Sequence, residues 1–393
     1  MLRPSPRPRL RPRAAWAALL LACGCAVSAS VGTTPPPSAA VDAPAPSTIP
    51  SESATPPATA PADPLADVTI PARPPWMDRY AKPGQPSPRF FDIDALMAAH
   101  GLTRDRAVEL QNHFRDLGRS DPSGTDAAHF DAALAKAKAG SFEDRRDTAK
   151  LASAPFVILF DLDDTLYAQG KDLDASCRDF EVAATGDTPA RGIKLAPGAA
   201  AALDRIAALG GAVVIFTAFT DDATMANLRG WQFGGKPLPD HPAIAGVLSN
   251  SHLVLRPKRD VAGTIERPII EPSKDVRIVD ESLRRAILVD DNPGRTFQPR
   301  NLRLTKKFDA RRYCTTKDAK EKLAFERVLP QVVAEVEESL RYAKDRKVDF
   351  AIAYLPYTQI GALAIAFLQD SGMSRKAAIA YLREHPDLAD RDF

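Results

Sequence analysis

The sequence predicts an α/β fold in which helices flank a parallel β-sheet. Three short, continuous apolar runs support this prediction: Phe156–Phe160, Ala212–Phe216 and Ala286–Val289. Runs of this kind are typical of strands that are buried on both faces of a parallel sheet. Helical patterns such as Ala199–Leu209 separate the runs, which fits strands that alternate with helices.

Each apolar run leads directly into polar residues. Asp161 follows the first run, Thr217 the second and Asp290 the third. In open parallel sheets, ligands bind at the carboxyl ends of the strands. The sequence therefore predicts a functional site where these three strands end.

The segments on either side of the sheet residues have helical patterns. In the N-terminal segment, 90–150, apolar residues recur at helical spacing over Asp92–His100, Thr103–Leu117 and Ala127–Ala139, and Thr103 is a predicted N-cap. In the C-terminal segment, 317–393, Phe350–Leu368 is apolar enough to suggest either a buried helical pair or a membrane span. The polar residues inside it favour the buried pair.

The N-terminus has the composition of an export signal. A basic start and a short apolar run, Ala14–Ala22, predict a signal peptide over 1–22. The run ends in a sequence that resembles the bacterial lipobox, which implies lipidation of Cys23, with Cys25 as an alternative site. A plain secretory signal remains the other interpretation. Residues 23–89 are rich in Pro, Ala, Ser and Thr and predict an unfolded linker.

Charge and cysteine content narrow the classes of partner. The 393 residues carry a net charge of +2, which gives no electrostatic reason to expect nucleic-acid binding. Four cysteines are present and no Cys-x-x-Cys pair, so a zinc ribbon has no support. Cys177 and Cys314 could pair in an oxidising compartment, but the sequence leaves this open.

The segment Asp161–Leu166 (DLDDTL) places two carboxylates, Asp161 and Asp163, at the end of a buried strand. One carboxylate can attack phosphorus, and the other can protonate the leaving oxygen. The segment resembles the first motif of the haloacid dehalogenase (HAD) superfamily. The resemblance implies that Asp161 is the nucleophile. It also implies that Asp163 is the acid/base and contributes a backbone carbonyl to Mg²⁺.

The other strand ends extend the resemblance. Thr217 stands where HAD proteins have a phosphate-binding hydroxyl. Asp290 and Asp291 stand where acids complete the Mg²⁺ site, so the implied metal residues are Asp161, Asp163, Asp290 and Asp291. Lys274 fits the lysine that neutralises phosphate and nucleophile, with Lys258 as the competing candidate.

Taken together, the motifs over residues 155–315 resemble the FCP/SCP, or NIF-like, family of RNA polymerase C-terminal-domain phosphatases, which predicts a phosphatase core over 151–316. Phe297 and Asn301 also stand where that family has a Phe and an Asn. The resemblance implies a HAD-like Rossmannoid parallel sheet flanked by helices, without a large cap, and with helical extensions at both ends.

The expected function is Mg²⁺-dependent hydrolysis of phosphomonoesters through an aspartyl-phosphate. The expected substrate is a phosphorylated protein or a small phosphomonoester. The expected location is a bacterial cell envelope, with the chain anchored by lipid at the outer membrane or on the periplasmic face. A non-catalytic envelope lipoprotein that binds a partner through a HAD scaffold is the alternative. A phosphotransferase or mutase is a weaker one.

Overall fold

A computed structural model of the chain describes residues 93–140, 142, 146–184, 189–233, 235–258 and 269–390. The signal peptide, lipidated cysteine and linker predicted for 1–22 and 23–89 lie outside these residues. The predicted domain boundaries near residues 90, 150 and 316 remain predictions.

The strands and helices are numbered along the chain. The strands are β1 (Val157–Phe160), β2 (Tyr167–Gly170), β3 (Phe180–Val182), β4 (Arg191–Leu195), β5 (Ala212–Phe216), β6 (Gln232–Phe233), β7 (Lys236–Pro237), β8 (Ile244–Leu248), β9 (Val254–Lys258), β10 (Ile269–Ser273), β11 (Ala286–Asp290) and β12 (Leu302–Leu304). The α-helices are α1 (Ile93–His100), α2 (Arg104–Ser120), α3 (Asp126–Ala139), α4 (Thr148–Ser153), α5 (Ala199–Ala208), α6 (Asp221–Gly230), α7 (Ala310–Thr315), α8 (Ala319–Glu326), α9 (Val328–Arg346), α10 (Phe350–Tyr354), α11 (Gln359–Asp370) and α12 (Arg375–Glu384).

Five parallel strands form the central sheet, in the order β12-β11-β1-β5-β8. The three apolar runs of the sequence are β11, β1 and β5, and they occupy the middle of the sheet. The edges, β12 and β8, were not predicted. The structure confirms the predicted α/β fold, in which helices flank a parallel sheet.

Two hydrophobic cores lie on opposite faces of this sheet. Along β1, Ile158 and Phe160 join one core, while Val157 and Leu159 join the other. This alternation follows from the two-residue period of a strand. Helices α5, α9 and α10 contribute to the first core, and α1 to α4 contribute to the second. The helical segments before and after the sheet residues therefore pack onto the sheet itself.

Helix α2 begins where the sequence predicts but is capped differently. Thr103 is the N-cap residue, with extended backbone geometry, yet its side chain accepts no backbone hydrogen bond. Its hydroxyl donates to the Asp105 carboxylate instead. The predicted position is confirmed, whereas the expected side-chain cap is not formed.

The apolar C-terminal segment forms two helical pieces joined at a bend. Among the described helices, none is by itself long and apolar enough to cross a membrane. Phe350–Tyr357 and Gln359–Asp370, bent by 60°, meet that criterion only as a pair. Gly361 permits the bend, because a Cβ there would lie 1.8 Å from the Leu355 carbonyl oxygen. Phe350, Tyr354 and Ile365 are buried.

The insertions between the central strands are small in the described part of the chain. Between β1 and α5, strands β2, β4 and β3 form an antiparallel sheet in that order. Between β8 and β11, strands β9 and β10 form an antiparallel hairpin. The end of the parallel sheet that carries the polar residues is thus bordered by short strands.

Candidate active site

The register of the three central strands brings the predicted residues together. Phe160 is paired with Val289 on one side and with Ile215 on the other. The next residue, Asp161, therefore lies opposite Asp290, and Thr217 is one residue further along β5. The Asp161 backbone N–H donates to the Val289 carbonyl at 3.0 Å, which extends the ladder to the site.

Lys274 lies between two of these acids. Its Nζ is 2.8 Å from Asp161 Oδ1 and 2.6 Å from Asp290 Oδ2. The lysine is 1% exposed and Asp290 is 0% exposed. Lys258, the competing candidate, lies in β9 opposite Ile269. The structure therefore places Lys274 in the site, between the carboxylates that the sequence predicts for nucleophile and metal.

Backbone hydrogen bonds hold Lys274 at this depth. Its N–H donates to the Arg295 carbonyl at 2.7 Å, and its carbonyl accepts from the Phe297 N–H at 3.1 Å. Burial on its own lowers the pKa of Lys274, but the two facing carboxylates outweigh burial and raise it. The lysine is therefore a charged ammonium in the pocket.

The acids around Lys274 have the composition of a divalent-metal site. Oxygens of Asp161, Asp290 and Asp291 all lie within 4.8 Å of one another. Burial raises the pKa of Asp161, and Asp290 adds to the rise while Lys274 opposes it. The single positive charge of Lys274 does not balance the negative charges of these three carboxylates. Carboxylate oxygens are the ligands that Mg²⁺ prefers, so these residues fit the ion.

The Asp163 side chain lies outside this acid cluster and faces Thr217. Thr217 Oγ1 donates to Asp163 Oδ2 at 3.4 Å, and Gln169 Nε2 donates to Oδ1 at 2.5 Å. Burial and the neighbouring Asp164 raise the pKa of Asp163 to about 6, against these hydrogen bonds. A carboxyl group with this pKa can release and recover a proton near neutral pH.

Asp164 shapes the turn after the first strand. Its φ of 61° lies in the left-handed region, which few residues other than glycine adopt. The Asp164 N–H donates to the Tyr167 carbonyl at 2.7 Å, and the Asp164 carbonyl accepts from the Phe308 N–H at 2.7 Å. The Asp164 carboxylate forms an ion pair with Lys307. These contacts stabilise the left-handed turn that follows Asp163, whose side chain contacts Thr217.

Some residues of the site were not predicted. Gln169 contacts Asp163, and behind it lie Asn227 and Arg191, from α6 and β4. They belong to no recognised motif and are far apart in the sequence. Asn301, which the family resemblance singled out, donates to the Leu283 and Ala286 carbonyls at 3.1 and 2.8 Å. It therefore supports the start of β11, away from the strand ends.

A disulfide joins Cys177 and Cys314, which answers the question that the sequence left open. Their Cα atoms are 5.8 Å apart across a sequence separation of 137 residues. Cys177 lies between β2 and β3, and Cys314 lies in α7. The bond ties the small antiparallel sheet beside the site to the segment that follows β12.

Comparisons with known proteins give weak similarity. No family model and no curated protein matches the chain. A structure of Fcp1, an essential RNA polymerase II CTD phosphatase, is 15% identical, with a TM-score of 0.33, over 53% of this chain and 72% of that one. A fission yeast Fcp1 variant bound to beryllium fluoride is 15% identical, with a TM-score of 0.29, over 56% of this chain and 67% of that one. The fold class rests on the sheet of this chain itself.

Proposed function

We propose that this protein is a Mg²⁺-dependent phosphomonoesterase that forms an aspartyl-phosphate on Asp161. The placement of buried Lys274 between Asp161 and Asp290 carries this proposal. Such an ammonium holds the nucleophile in place and offers positive charge to an incoming phosphate. Asp163 and Thr217 lie at the same edge of the sheet, so the site contains a nucleophile, an acid/base and a hydroxyl donor.

The chemistry proceeds in two displacements. The Asp161 carboxylate attacks phosphorus, the ester P–O bond breaks, and Asp163 gives its proton to the leaving alcohol. Water then attacks the aspartyl-phosphate, Asp163 takes a proton from that water, and inorganic phosphate leaves. Thr217 and Lys274 hold the phosphate oxygens through both displacements.

Asp161, Asp290 and Asp291, with the backbone carbonyl of Asp163, would hold the metal. Mg²⁺ supplies charge that reduces the repulsion between an anionic ester and the carboxylate nucleophile. The chain's own contribution is to keep these oxygens together. Lys274 fixes one oxygen of Asp290, and the Asn292 N–H donates to the other at 2.8 Å.

Release of p-nitrophenol from its phosphate ester tests this function. We expect turnover that requires Mg²⁺ and is abolished in Asp161→Asn, because an amide is not a nucleophile toward phosphorus. Asp172→Asn, which changes an exposed acid between β2 and β3, is the control and should retain activity. Equal rates for wild type and Asp161→Asn would exclude the covalent mechanism.

The substrate that we propose is a phosphorylated protein side chain or a small phosphomonoester. The short strands bordering the site support this proposal, because in the described part of the chain no large insertion covers the strand ends. A screen of phosphoproteins, sugar phosphates, nucleotides and phosphodiesters, each with and without Mg²⁺, distinguishes these classes. Activity confined to phosphodiesters would contradict the proposal.

We also propose that the chain is exported and anchored by a lipid on Cys23. The Cys177–Cys314 disulfide supports export, because such bonds persist in oxidising compartments. Labelling cells with a fatty-acid analogue tests the anchor. Label that is lost in Cys23→Ser and retained in Cys25→Ser is the expected result. Label retained in Cys23→Ser would contradict it.

A further inference from the structure

A chain of polar side chains leads from the interior to the acid/base residue of the proposed phosphatase. Arg191 donates to Asn227 Oδ1, Asn227 Nδ2 lies 3.4 Å from Gln169 Oε1, and Gln169 Nε2 donates to Asp163 Oδ1. Asn227 Nδ2 also donates to the Tyr167 hydroxyl at 2.6 Å. We propose that Arg191, Asn227 and Gln169 form a relay that positions Asp163 for proton transfer.

The direction of donation along this relay is fixed at both ends. A guanidinium has only N–H donors, so the Asn227 atom that faces Arg191 must be the oxygen. The amide of Asn227 then turns its Nδ2 toward Gln169, and Gln169 presents its own Nε2 to Asp163. An ionised carboxylate can only accept hydrogen bonds, so the contact between Gln169 Nε2 and Asp163 Oδ1 also joins a donor to an acceptor.

Two of the three relay residues are buried. Asn227 is 1% exposed on α6, and Arg191 is 6% exposed on β4. Arg191 also donates to the Ala223 carbonyl at 3.2 Å and lies 5.8 Å from the centre of the Phe219 ring. A reoriented Asn227 amide would turn its Nδ2 toward the Arg191 guanidinium and leave buried donors unpaired, which carries a large energetic cost.

The proposed role rests on the proposed function, in which Thr217 binds phosphate. In the present structure Thr217 Oγ1 donates to Asp163 Oδ2 at 3.4 Å, and Gln169 Nε2 donates to Asp163 Oδ1 at 2.5 Å. When the Thr217 hydroxyl turns to a phosphate oxygen, Gln169 is the contact that continues to fix Asp163. The relay is therefore the part of the site that directs the other carboxylate oxygen toward the leaving group.

Two variants test the relay. Gln169→Met removes the donor at similar volume, and Asn227→Asp keeps an oxygen toward Arg191 but can no longer donate to Gln169. Each is assayed for kcat/KM on two esters, the good leaving group of 2,4-dinitrophenyl phosphate and the poor one of phosphoserine. A poor leaving group needs a proton in the transition state, whereas a good one does not.

We expect both variants to lose about 10- to 100-fold in kcat/KM on phosphoserine and less than about threefold on the dinitrophenyl ester. The control is Thr224→Val, which removes another buried hydroxyl of α6. Among the described residues this hydroxyl has no hydrogen-bond partner, so both rates should be unchanged. An equal loss on both esters, or no loss on phosphoserine, would overturn the relay.

A structural measurement separates failure of the relay from failure of the proposed function. Wild-type protein that turns over neither ester would refute the function, whatever the relay does. A crystal structure that distinguishes amide oxygen from nitrogen then decides the relay alone. Asn227 Oδ1 facing Arg191 and Gln169 Nε2 facing Asp163 support it. The opposite orientation of either amide overturns it.

Discussion

At the scale of single residues, the feature that decides the chemistry is an ammonium enclosed by carboxylates. Lys274 is 1% exposed and contacts Asp161 and Asp290. Burying a charge is costly unless it is paired, so the lysine and the acids stabilise one another in this position. Lys274 also opposes the rise that burial gives to the pKa of Asp161, the proposed nucleophile.

Replacing Lys274 by methionine should cost both stability and activity. Removing one partner from a buried ion cluster leaves the remaining charges uncompensated, and we expect a loss of about 3 kcal/mol in the free energy of unfolding. Phosphatase activity should fall by at least about 100-fold. Urea denaturation and p-nitrophenyl phosphate turnover measure the two effects.

Lys307→Met is the matched control for this substitution. Lys307 also pairs with an aspartate, Asp164, but it is 66% exposed. Exposed pairs contribute about 0–1 kcal/mol, so this variant should remain close to wild type in stability. Similar losses for the two lysine variants would show that burial of Lys274 is not the cause.

At the scale of elements, helix α2 contains a buried acid, Glu109, whose protonation influences the free energy of unfolding. Glu109 is 7% exposed, and its carboxylate pairs with Arg106 at 2.9 Å. Burial raises the pKa of Glu109 from 4.5 to about 7, and the arginine only partly opposes this rise. The folded protein therefore keeps a proton on Glu109 at a pH where the unfolded chain has released it.

The sign of the pH dependence follows from this difference. Between pH 4.5 and about 7 the folded state binds more protons at Glu109, so its contribution to the free energy of unfolding falls as pH rises. The full difference corresponds to about 3 kcal/mol. Glu109→Gln should remove this slope, as urea unfolding at several pH values would measure. Asp116→Asn, which removes an exposed acid of the same helix, serves as the control. An unchanged slope in Glu109→Gln would show that Glu109 is not the source of this pH dependence.

The elements that the sequence predicted are those with an unambiguous pattern. β1, β5 and β11 are continuous apolar runs because neighbours cover them on both sides and on both faces. β12 lies at an edge and contains Arg303, whose Nε donates to Oε2 of Glu335 in α9 at 2.9 Å. β8 lies at the other edge and contains Gly246. The charged Arg303 in β12 and the small Ala245 and Gly246 in β8 made these two patterns less distinctive than the runs of large apolar residues.

At the scale of the whole molecule, one covalent bond joins distant segments. The Cys177–Cys314 disulfide spans 137 residues and links the β2–β3 connection to α7. A loop of this length restricts the unfolded chain strongly, which stabilises the folded state by about 5 kcal/mol. Lys307 and Phe308, which support the Asp164 turn, lie on the segment that leads to α7.

Reduction of the disulfide should therefore lower the free energy of unfolding by about 5 kcal/mol. Urea denaturation with and without dithiothreitol measures the change. A Cys177→Ser/Cys314→Ser double variant should match the reduced protein and should not respond to the reductant. Alkylation of Cys177 or Cys314 in the untreated, folded protein would contradict the bond.

From the strand pattern alone, only those site residues that lie at the ends of buried strands could be predicted. Asp161, Thr217 and Asp290 could be predicted because each directly follows a buried strand, and parallel strands bring such ends together. Gln169 and Asn227 could not, since their contact depends on how α6 packs beside β2. The pairing of the two cysteines likewise depends on a tertiary distance that no local pattern contains.

The most direct measurement of the central claim is the location of the phosphoryl group during turnover. Asp163→Asn, incubated with p-nitrophenyl phosphate and Mg²⁺, should accumulate the intermediate, because the attacking water lacks its base. Borohydride should reduce the aspartyl-phosphate to homoserine with release of phosphate, and mass spectrometry of the peptides should place this homoserine at position 161. A phosphoryl group on any other residue, or none in a protein that still releases p-nitrophenol, would contradict Asp161 as the nucleophile.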